Sequence, residues 1–216
     1  MDGLDPIPIK YIDTLEQRQH IVLFYEDSEY ARMIEFRFIR NGLALGEQCV
    51  YATDGDSGAI VLKMLTYGIP IKYFQTGKLK VYQIHSVHGG PREIMENCRK
   101  DIAMIMSSLS SPFRIVSRIV PDVSTRAGMS VELELEHSVH RSFEEFGGSL
   151  ICPYDVSKME AGRKRQWMDD LRATHHSIIY APRFGEGGVF TCQDPKTDEN
   201  RIQNFPFGQN GNETPR

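Results

Sequence analysis

Acidic residues follow the first apolar run of the chain, at a position where parallel sheets bind their ligands. The run His20 to Tyr25 reads as a buried strand, and Glu26, Asp27 and Glu29 come directly after it. Carboxylates there can accept hydrogen bonds or hold a cation, but they repel a polyphosphate. Because ligands bind beyond the carboxyl ends of parallel strands, Tyr25 and Glu26 are the first candidate site residues.

The same turn lacks the residues of a phosphate-binding loop. Such a loop needs glycines, whose backbone N–H groups can converge on the phosphates, and a lysine that reaches them. The chain has no glycine between Gly3 and Gly42 and no lysine between Lys10 and Lys63. The sequence therefore predicts that no ordinary nucleotide loop, and no cofactor, is present here. The alternative is ATP with magnesium, held by an atypical phosphate site.

Two later strands also end in groups that could bind a ligand. Asp122 and Ser124 follow the fourth apolar run of strand type, and Tyr154 and Asp155 end the fifth. A carboxylate at the tip of a buried strand is costly unless it meets a cation, water or a hydrogen-bond donor. Tyr154 and Asp155 either line a pocket or form a structural turn.

Histidines occur at two positions of chemical interest. His20 opens the first strand, which is typical of a hydrogen-bonded core histidine, and it is also a candidate ligand contact. His137 and His140 lie at i, i+3 on a predicted helix, with Glu134 and Glu136 nearby. Metal binding would need a second element to converge on them, so the pattern favours an exposed polar face. We predict no metal site and no nucleophile–base pair.

Strands and helices alternate along the chain, which is typical of an α/β fold with a mostly parallel sheet flanked by helices in three layers. Residues 1–18 read as an N-terminal arm, 19–192 as a single domain and 193–216 as a polar, flexible tail. Asn41-Gly42 is expected to end the first long helix. Strands are predicted at 20–25, 48–53, 81–85, 113–120, 149–154, 177–180 and 189–192, and helices at 57–67, 91–109, 129–146 and 157–174.

Composition narrows the function classes. The 216 residues carry a net charge of −4, which argues against a nucleic-acid-binding surface. No apolar run approaches the roughly 20 residues of a membrane span, and the amino terminus does not resemble a signal peptide. The four cysteines show no C-x-x-C spacing, which indicates free thiols in a reducing cytoplasm.

Five short segments follow one another in a recognisable order. They are His20-x4-Tyr25, Asn41-Gly42-Leu43 with 46–51 (GEQCVY), Gly77-x-Leu79, 152–155 (CPYD) and Trp167-x3-Leu171-x3-His175. Over about residues 19–181 this order resembles the MEDS domain, the sensory domain of DcmR-like regulators of methanogens and methylotrophs. That family is regarded as a RecA/KaiC-like fold with a degenerate phosphate loop that senses small molecules.

The resemblance suggests how the candidate residues are arranged. A RecA-like strand order makes strands one and four neighbours, so Tyr25, Glu26, Asp122 and Ser124 would share one cleft. Asp122 then either contacts a ligand or caps a turn as the remnant of a magnesium site.

The second strand ends in a further pair of carboxylates. Asp54 and Asp56 resemble the acidic residues that activate water in KaiC-like enzymes. Their spacing also fits a cap for the helix that starts at Ser57, and we favour the cap.

Two functions are weighed against each other, and a scaffold whose RecA-like surface only drives oligomerisation is a further alternative. The first is a non-catalytic small-molecule sensor in signal transduction or transcriptional regulation, with Tyr25, Asp122 and Tyr154 lining the site. It would act through a separate signalling or regulatory protein, because the chain shows no helix-turn-helix or kinase segment, and it could form a homo-oligomer. The second is a divergent KaiC-like ATPase. We expect neither direct nucleic-acid binding nor a membrane partner.

Overall fold

The computed structural model describes most of the chain, in seven segments. These are residues 6–15, 18–84, 89–119, 125–145, 147–157, 159 and 161–192. The predicted tail, 193–216, and the candidate residues Asp122 and Ser124 lie outside them. No helix in the described parts of the chain is long and apolar enough to cross a bilayer.

The described elements alternate as the sequence predicts. In chain order they are α1 (Ile7–Asp13), β1 (His20–Tyr25), α2 (Ser28–Ala44), β2 (Gln48–Thr53), α3 (Ser57–Thr66), α4 (Lys72–Gln75), β3 (Leu79–Gln83), α5 (Pro91–Ser107), β4 (Phe113–Arg118), α6 (Arg126–Ser142) with a 3-10 turn (Phe143–Glu145), β5 (Gly148–Asp155), α7 (Ala161–Arg172), β6 (Ser177–Ala181) and β7 (Gly188–Thr191). The bounds of β1 and β2 are as predicted. The predicted arm contains α1, whose Ile9 and Ile12 are buried against the core.

One sheet of seven strands organises the fold. The lateral order is β3-β2-β4-β5-β1-β6-β7, with β1 to β6 parallel and β7 antiparallel to β6. This confirms the α/β class. The expectation that β1 and β4 are neighbours is wrong, because β5 pairs with both of them. Alternating strands and helices predict parallel pairing but do not specify lateral order.

The sheet separates two cores, because successive side chains of a strand point to opposite faces. Ile21, Leu23 and Tyr25 of β1 pack with α1, α2 and α3 on one face. Val22 and Phe24 pack with α5, α6 and α7 on the other. We call these the α2 face and the α6 face. All six residues of β1 are buried, as expected for a strand covered on both sides.

The predicted end of α2 at Asn41-Gly42 is wrong, since the helix continues to Ala44 and Gly46 adopts the left-handed conformation after it. Close packing explains why a residue without a side chain occupies position 42. A Cβ there would lie 2.6 Å from Arg114 Cδ and 2.8 Å from Glu47 Oε2. Arg114 and Glu47 form a buried ion pair at 2.6 Å, and the bare helix surface at Gly42 makes room for it.

Candidate functional site

The connection from β1 to α2 consists of two residues, Glu26 and Asp27. The Asp27 carboxylate accepts hydrogen bonds from the backbone N–H groups of Glu29 (2.9 Å) and Tyr30 (3.2 Å). These are helix N-terminal donors of the kind that hold a phosphate in nucleotide-binding folds. Here the protein's own carboxylate occupies them.

Three of the predicted site residues lie at the carboxyl ends of parallel strands. Glu26 accepts from Lys164 at 2.6 Å and so ties the tip of β1 to α7. Asp155 is exposed and accepts from the backbone and hydroxyl of Ser157. Asp54 is exposed.

Asp56 caps α3, which confirms that prediction. Its carboxylate accepts from the backbone N–H groups of Gly58 at 2.8 Å and Ala59 at 3.2 Å.

Tyr25 belongs to a buried ionic network on the α2 face. Arg118 donates to both carboxylate oxygens of Glu35, at 3.1 and 2.5 Å, and to the Tyr25 hydroxyl at 2.8 Å. Tyr51 donates to Glu35 at 2.5 Å. Burial alone would lower the pKa of Arg118, but the Glu35 carboxylate raises it well above its usual value. Each charge has several hydrogen-bond partners, and the network connects α2 to β1, β2 and β4.

Tyr25 and Tyr154, which are predicted to line one pocket with Asp122, lie on opposite faces of the sheet, and Asp122 lies outside the described residues. Tyr154 pairs in register with Phe24, so it lies on the α6 face, while Tyr25 lies on the α2 face. The sheet itself separates the two tyrosines. The sequence indicates that both end their strands at one edge, but a one-residue difference in register moves a side chain to the opposite face.

A buried cluster of metal-binding residue types lies on the α6 face. It joins His20 at the start of β1, Cys152 in β5, Glu136 in α6 and His175 between α7 and β6. Glu136 Oε2 lies 3.2 Å from His20 Nε2 and 3.5 Å from His175 Nε2. Cys152 Sγ lies 3.6 Å from His20 Nε2. One potential ligand atom from each of the four residues falls within 4.8 Å of all the others.

Glu132, Tyr154 and Glu136 are linked by hydrogen bonds next to the cluster. The Tyr154 hydroxyl contacts both Glu132 and Glu136, but it has one proton and can donate to only one of them. Burial, and then the Glu136 charge, raise the pKa of Glu132 well above its usual value, so Glu132 keeps its proton. Burial opposes ionisation of Glu136, but His175, His20 and Tyr154 outweigh it and lower its pKa to about 2. The Tyr154 hydroxyl faces both carboxylates as a donor, and the lower pKa of Glu136 favours Glu136 as its acceptor.

Burial also shifts the pKa of Cys152 and of His175. It raises the pKa of the Cys152 thiol well above its usual value, with a further contribution from Glu136. It lowers the pKa of His175 to about 3, with His20 as the second cause. In the described structure the cluster thus contains a neutral thiol, a neutral His175 imidazole and one buried carboxylate.

An apolar cavity of about 50 Å³ lies beside the cluster, and Glu136 and Cys152 line part of it. It lies between α5, α6 and the sheet, and its apolar wall comes from all three. Its polar wall is formed by Glu132, Glu136, Cys152 and Ser117. The apolar lining residues are Ile102, Ile105, Met106, Ile115, Ile119, Leu135, Val139 and Leu150.

The predicted exposed polar face of α6 is wrong at Glu136, since that residue is buried. A signal was present. Glu132 and Glu136 are one helical turn apart, and they share a face with the apolar residues Leu135 and Val139. Carboxylates inside an apolar stripe indicate a buried polar site. His137, by contrast, is exposed as predicted.

The sequence profile described as the MEthanogen/methylotroph, DcmR Sensory domain, or MEDS, matches residues 19–176. The chain belongs to the MEDS family. No curated protein is significantly similar in sequence.

The fold of this MEDS domain resembles that of a solved KaiC-like protein. That protein comes from the hyperthermophilic archaeon Pyrococcus horikoshii OT3, with a TM-score of 0.52 and 13% sequence identity. The match covers 77% of this chain and 72% of the other. It supports a RecA/KaiC-like fold. The four residues of the buried cluster all lie within the segment that matches the MEDS profile.

Proposed function

We propose that this MEDS domain is a non-catalytic sensor of a small molecule that binds in the cavity between α5, α6 and the sheet. The observation that carries the proposal is the combination of an apolar wall with a short polar wall of Glu132, Glu136 and Cys152. Small-molecule sites are typically apolar cavities with a few fixed polar groups. The family's sensory character supports the same assignment.

The cavity limits the chemistry of the ligand. A volume of about 50 Å³ holds only a few non-hydrogen atoms beyond a single water. The eight apolar residues favour a hydrocarbon portion, and the polar wall of Glu132, Glu136, Cys152 and Ser117 favours one hydrogen-bonding group such as a hydroxyl, thiol or amine. The ligand we propose is therefore a small, mostly apolar molecule with one polar end.

Two features argue against ATP as the ligand. The Asp27 carboxylate already occupies two N-terminal donors of α2, where a phosphate would bind. The cavity on the α6 face is also far too small for a nucleotide. Both are consistent with a fold that has lost its phosphate loop.

Signal output would come from α5 and α6, which form one side of the cavity. A ligand shifts a conformational equilibrium only by binding one arrangement more tightly than another. Filling the cavity would favour one packing of these helices against the sheet. A separate signalling or regulatory protein would then bind this packing preferentially.

Adjacent positions in α5 provide a matched test. Ile105 lines the cavity and is buried, whereas Met104 is 47% exposed. Small alcohols, thiols and amines are screened against the purified chain by thermal shift, and hits are confirmed by calorimetry. We expect Ile105→Phe to abolish the shift that wild type shows, and Met104→Phe to retain it.

Two results would overturn the proposal. One is an unchanged ligand response in Ile105→Phe, which would place the site elsewhere. The other is calorimetric binding of ATP with magnesium in the low micromolar range, which would favour the divergent ATPase.

A further inference from the structure

We propose that His20, Glu136, Cys152 and His175 form a binding site for one zinc-type divalent cation. Two imidazoles, a thiolate and a carboxylate are the ligand types that tetrahedral Zn²⁺ sites use. The metal site stands on the geometry of the cluster itself. Its use in sensing, at the polar end of the cavity, rests on the proposed function.

The distances in the cluster match a tetrahedral site. Zn–N and Zn–O bonds of about 2.0–2.1 Å and Zn–S bonds of about 2.3 Å place neighbouring ligand atoms about 3.3–3.6 Å apart. Three separations in the cluster are 3.2, 3.5 and 3.6 Å. The remaining separations stay within 4.8 Å, so small side-chain rotations complete the tetrahedron.

Two of the ligand atoms have unused lone pairs. Glu136 Oε2 and His175 Nε2 make no hydrogen bond within the described part of the chain, although both residues are only 3% exposed. Each instead lies within ion-pair distance, with Glu136 Oε2 3.2 Å from His20 Nε2 and 3.5 Å from His175 Nε2. Buried polar atoms almost always have a partner. A cation at the centre of the cluster supplies that partner to both atoms.

The surrounding hydrogen bonds orient these lone pairs toward the centre. His175 Nδ1 lies 2.8 Å from the Leu171 carbonyl, which fixes the proton on Nδ1 and leaves Nε2 free to bind a metal. Tyr154 donates to Glu136 Oε1 and so leaves Oε2 available. Metal sites commonly hold their ligands with such supporting bonds.

The charges of the site also balance. Metal binding releases the Cys152 proton, because only the thiolate is a ligand. One thiolate and the Glu136 carboxylate then neutralise the two positive charges of the cation. A neutral site avoids the large free-energy cost of an uncompensated buried charge.

Cobalt provides a direct test, because tetrahedral Co²⁺ has intense visible bands and a thiolate-to-metal charge-transfer band. The full chain is treated with chelator, dialysed and titrated with Co²⁺, and then with Zn²⁺ in competition with a chromogenic chelator. We expect one metal per chain, a tetrahedral Co²⁺ spectrum and displacement of Co²⁺ by Zn²⁺. A chain that takes up less than one equivalent, or gives an octahedral spectrum, would overturn the site.

Variants identify the ligands. We expect Cys152→Ser to remove the charge-transfer band and to weaken Zn²⁺ binding by more than about 100-fold, since losing a supporting bond alone typically costs 10–100-fold. Cys98 is buried in the same core and lies outside the cluster, so Cys98→Ser is the matched control and should bind like wild type. Likewise His175→Gln should lose binding and the exposed His137→Gln should keep it.

Further comparisons separate this proposal from the sensor proposal. The cobalt spectrum needs no organic ligand, so it succeeds or fails independently of the cavity. If the metal binds and Ile105→Phe leaves the small-molecule response unchanged, the sensor site is wrong and the metal site stands. Equal Zn²⁺ affinity in wild type and Cys152→Ser would overturn the metal site, whatever the small-molecule screen shows.

Discussion

The Arg118–Glu35 network on the α2 face and the Glu136 cluster on the α6 face differ in how their buried charges are partnered. On the α2 face, Arg118 and Glu35 form a bidentate ion pair, and the hydroxyls of Tyr25 and Tyr51 also hydrogen-bond to it. On the α6 face, the Glu136 carboxylate keeps one oxygen without a hydrogen bond among the described residues, next to a cavity. Fully partnered networks hold a fold together. An unpartnered buried group with space beside it indicates binding instead.

The largest effect should come from neutralising Glu35. In Glu35→Gln the Arg118 guanidinium, 13% exposed, would lose its ionic partner in the protein interior. Breaking a buried ion pair by removing one partner typically costs about 3–5 kcal/mol. Urea denaturation measures the loss. Glu134→Gln, which breaks the exposed pair with Arg99, should cost less than about 1 kcal/mol. Equal losses in the two variants would contradict the structural role of the network.

An intermediate effect should follow from adding one methyl group to α2. Gly42→Ala would force the new Cβ against the buried Arg114–Glu47 pair. Overpacking of this kind costs about 1–3 kcal/mol. In Gly162→Ala, on α7, the new Cβ meets no atom within 4 Å among the described residues, so the better helix former should be neutral or stabilising. Chemical denaturation of both variants tests the expected difference in sign.

The smallest effect should come from the same Glu-to-Gln change on the α6 face. The raised pKa of Glu132 means that the native state keeps a proton that the unfolded state releases above about pH 4.5. Wild-type stability therefore falls as pH rises from 4.5 toward the folded pKa. A glutamine side chain cannot ionise. Glu132→Gln should therefore lower the free energy of unfolding by under about 1 kcal/mol at pH 4, and its stability relative to wild type should rise as the pH approaches neutrality.

The measurement is denaturation in the presence of chelator at several pH values. A loss at neutral pH as large as that of Glu35→Gln would show that Glu132 is ionised and that the two faces do not differ.

The sequence was informative where local pattern decides structure. Unbroken apolar runs predict β1 and β2 with their observed bounds, and the spacing of Asp56 to Ser57 predicts the cap of α3. The resemblance to the MEDS domain is confirmed by the profile match. These features depend on neighbours in the chain, or on a whole pattern of segments.

Other features depend on partners distant in sequence. Nothing local indicates that β5 lies between β1 and β4, or that Gly42 faces Arg114. Period-two alternation distinguishes the two faces of a strand, but it does not reveal what packs opposite. The sequence therefore predicts neither the burial of Glu136 nor the separation of Tyr25 and Tyr154 by the sheet.

The position of β1 has a consequence for how the chain folds. Its two neighbours, β5 and β6, both come from the last third of the described sequence. β1 therefore has no partner strand until residues beyond 148 are available. Such long-range pairing gives slow folding, because loop closure must precede the gain from contacts. His20 lies on β1 and Cys152 on β5, so the cluster can form only once these two strands, distant in sequence, have paired.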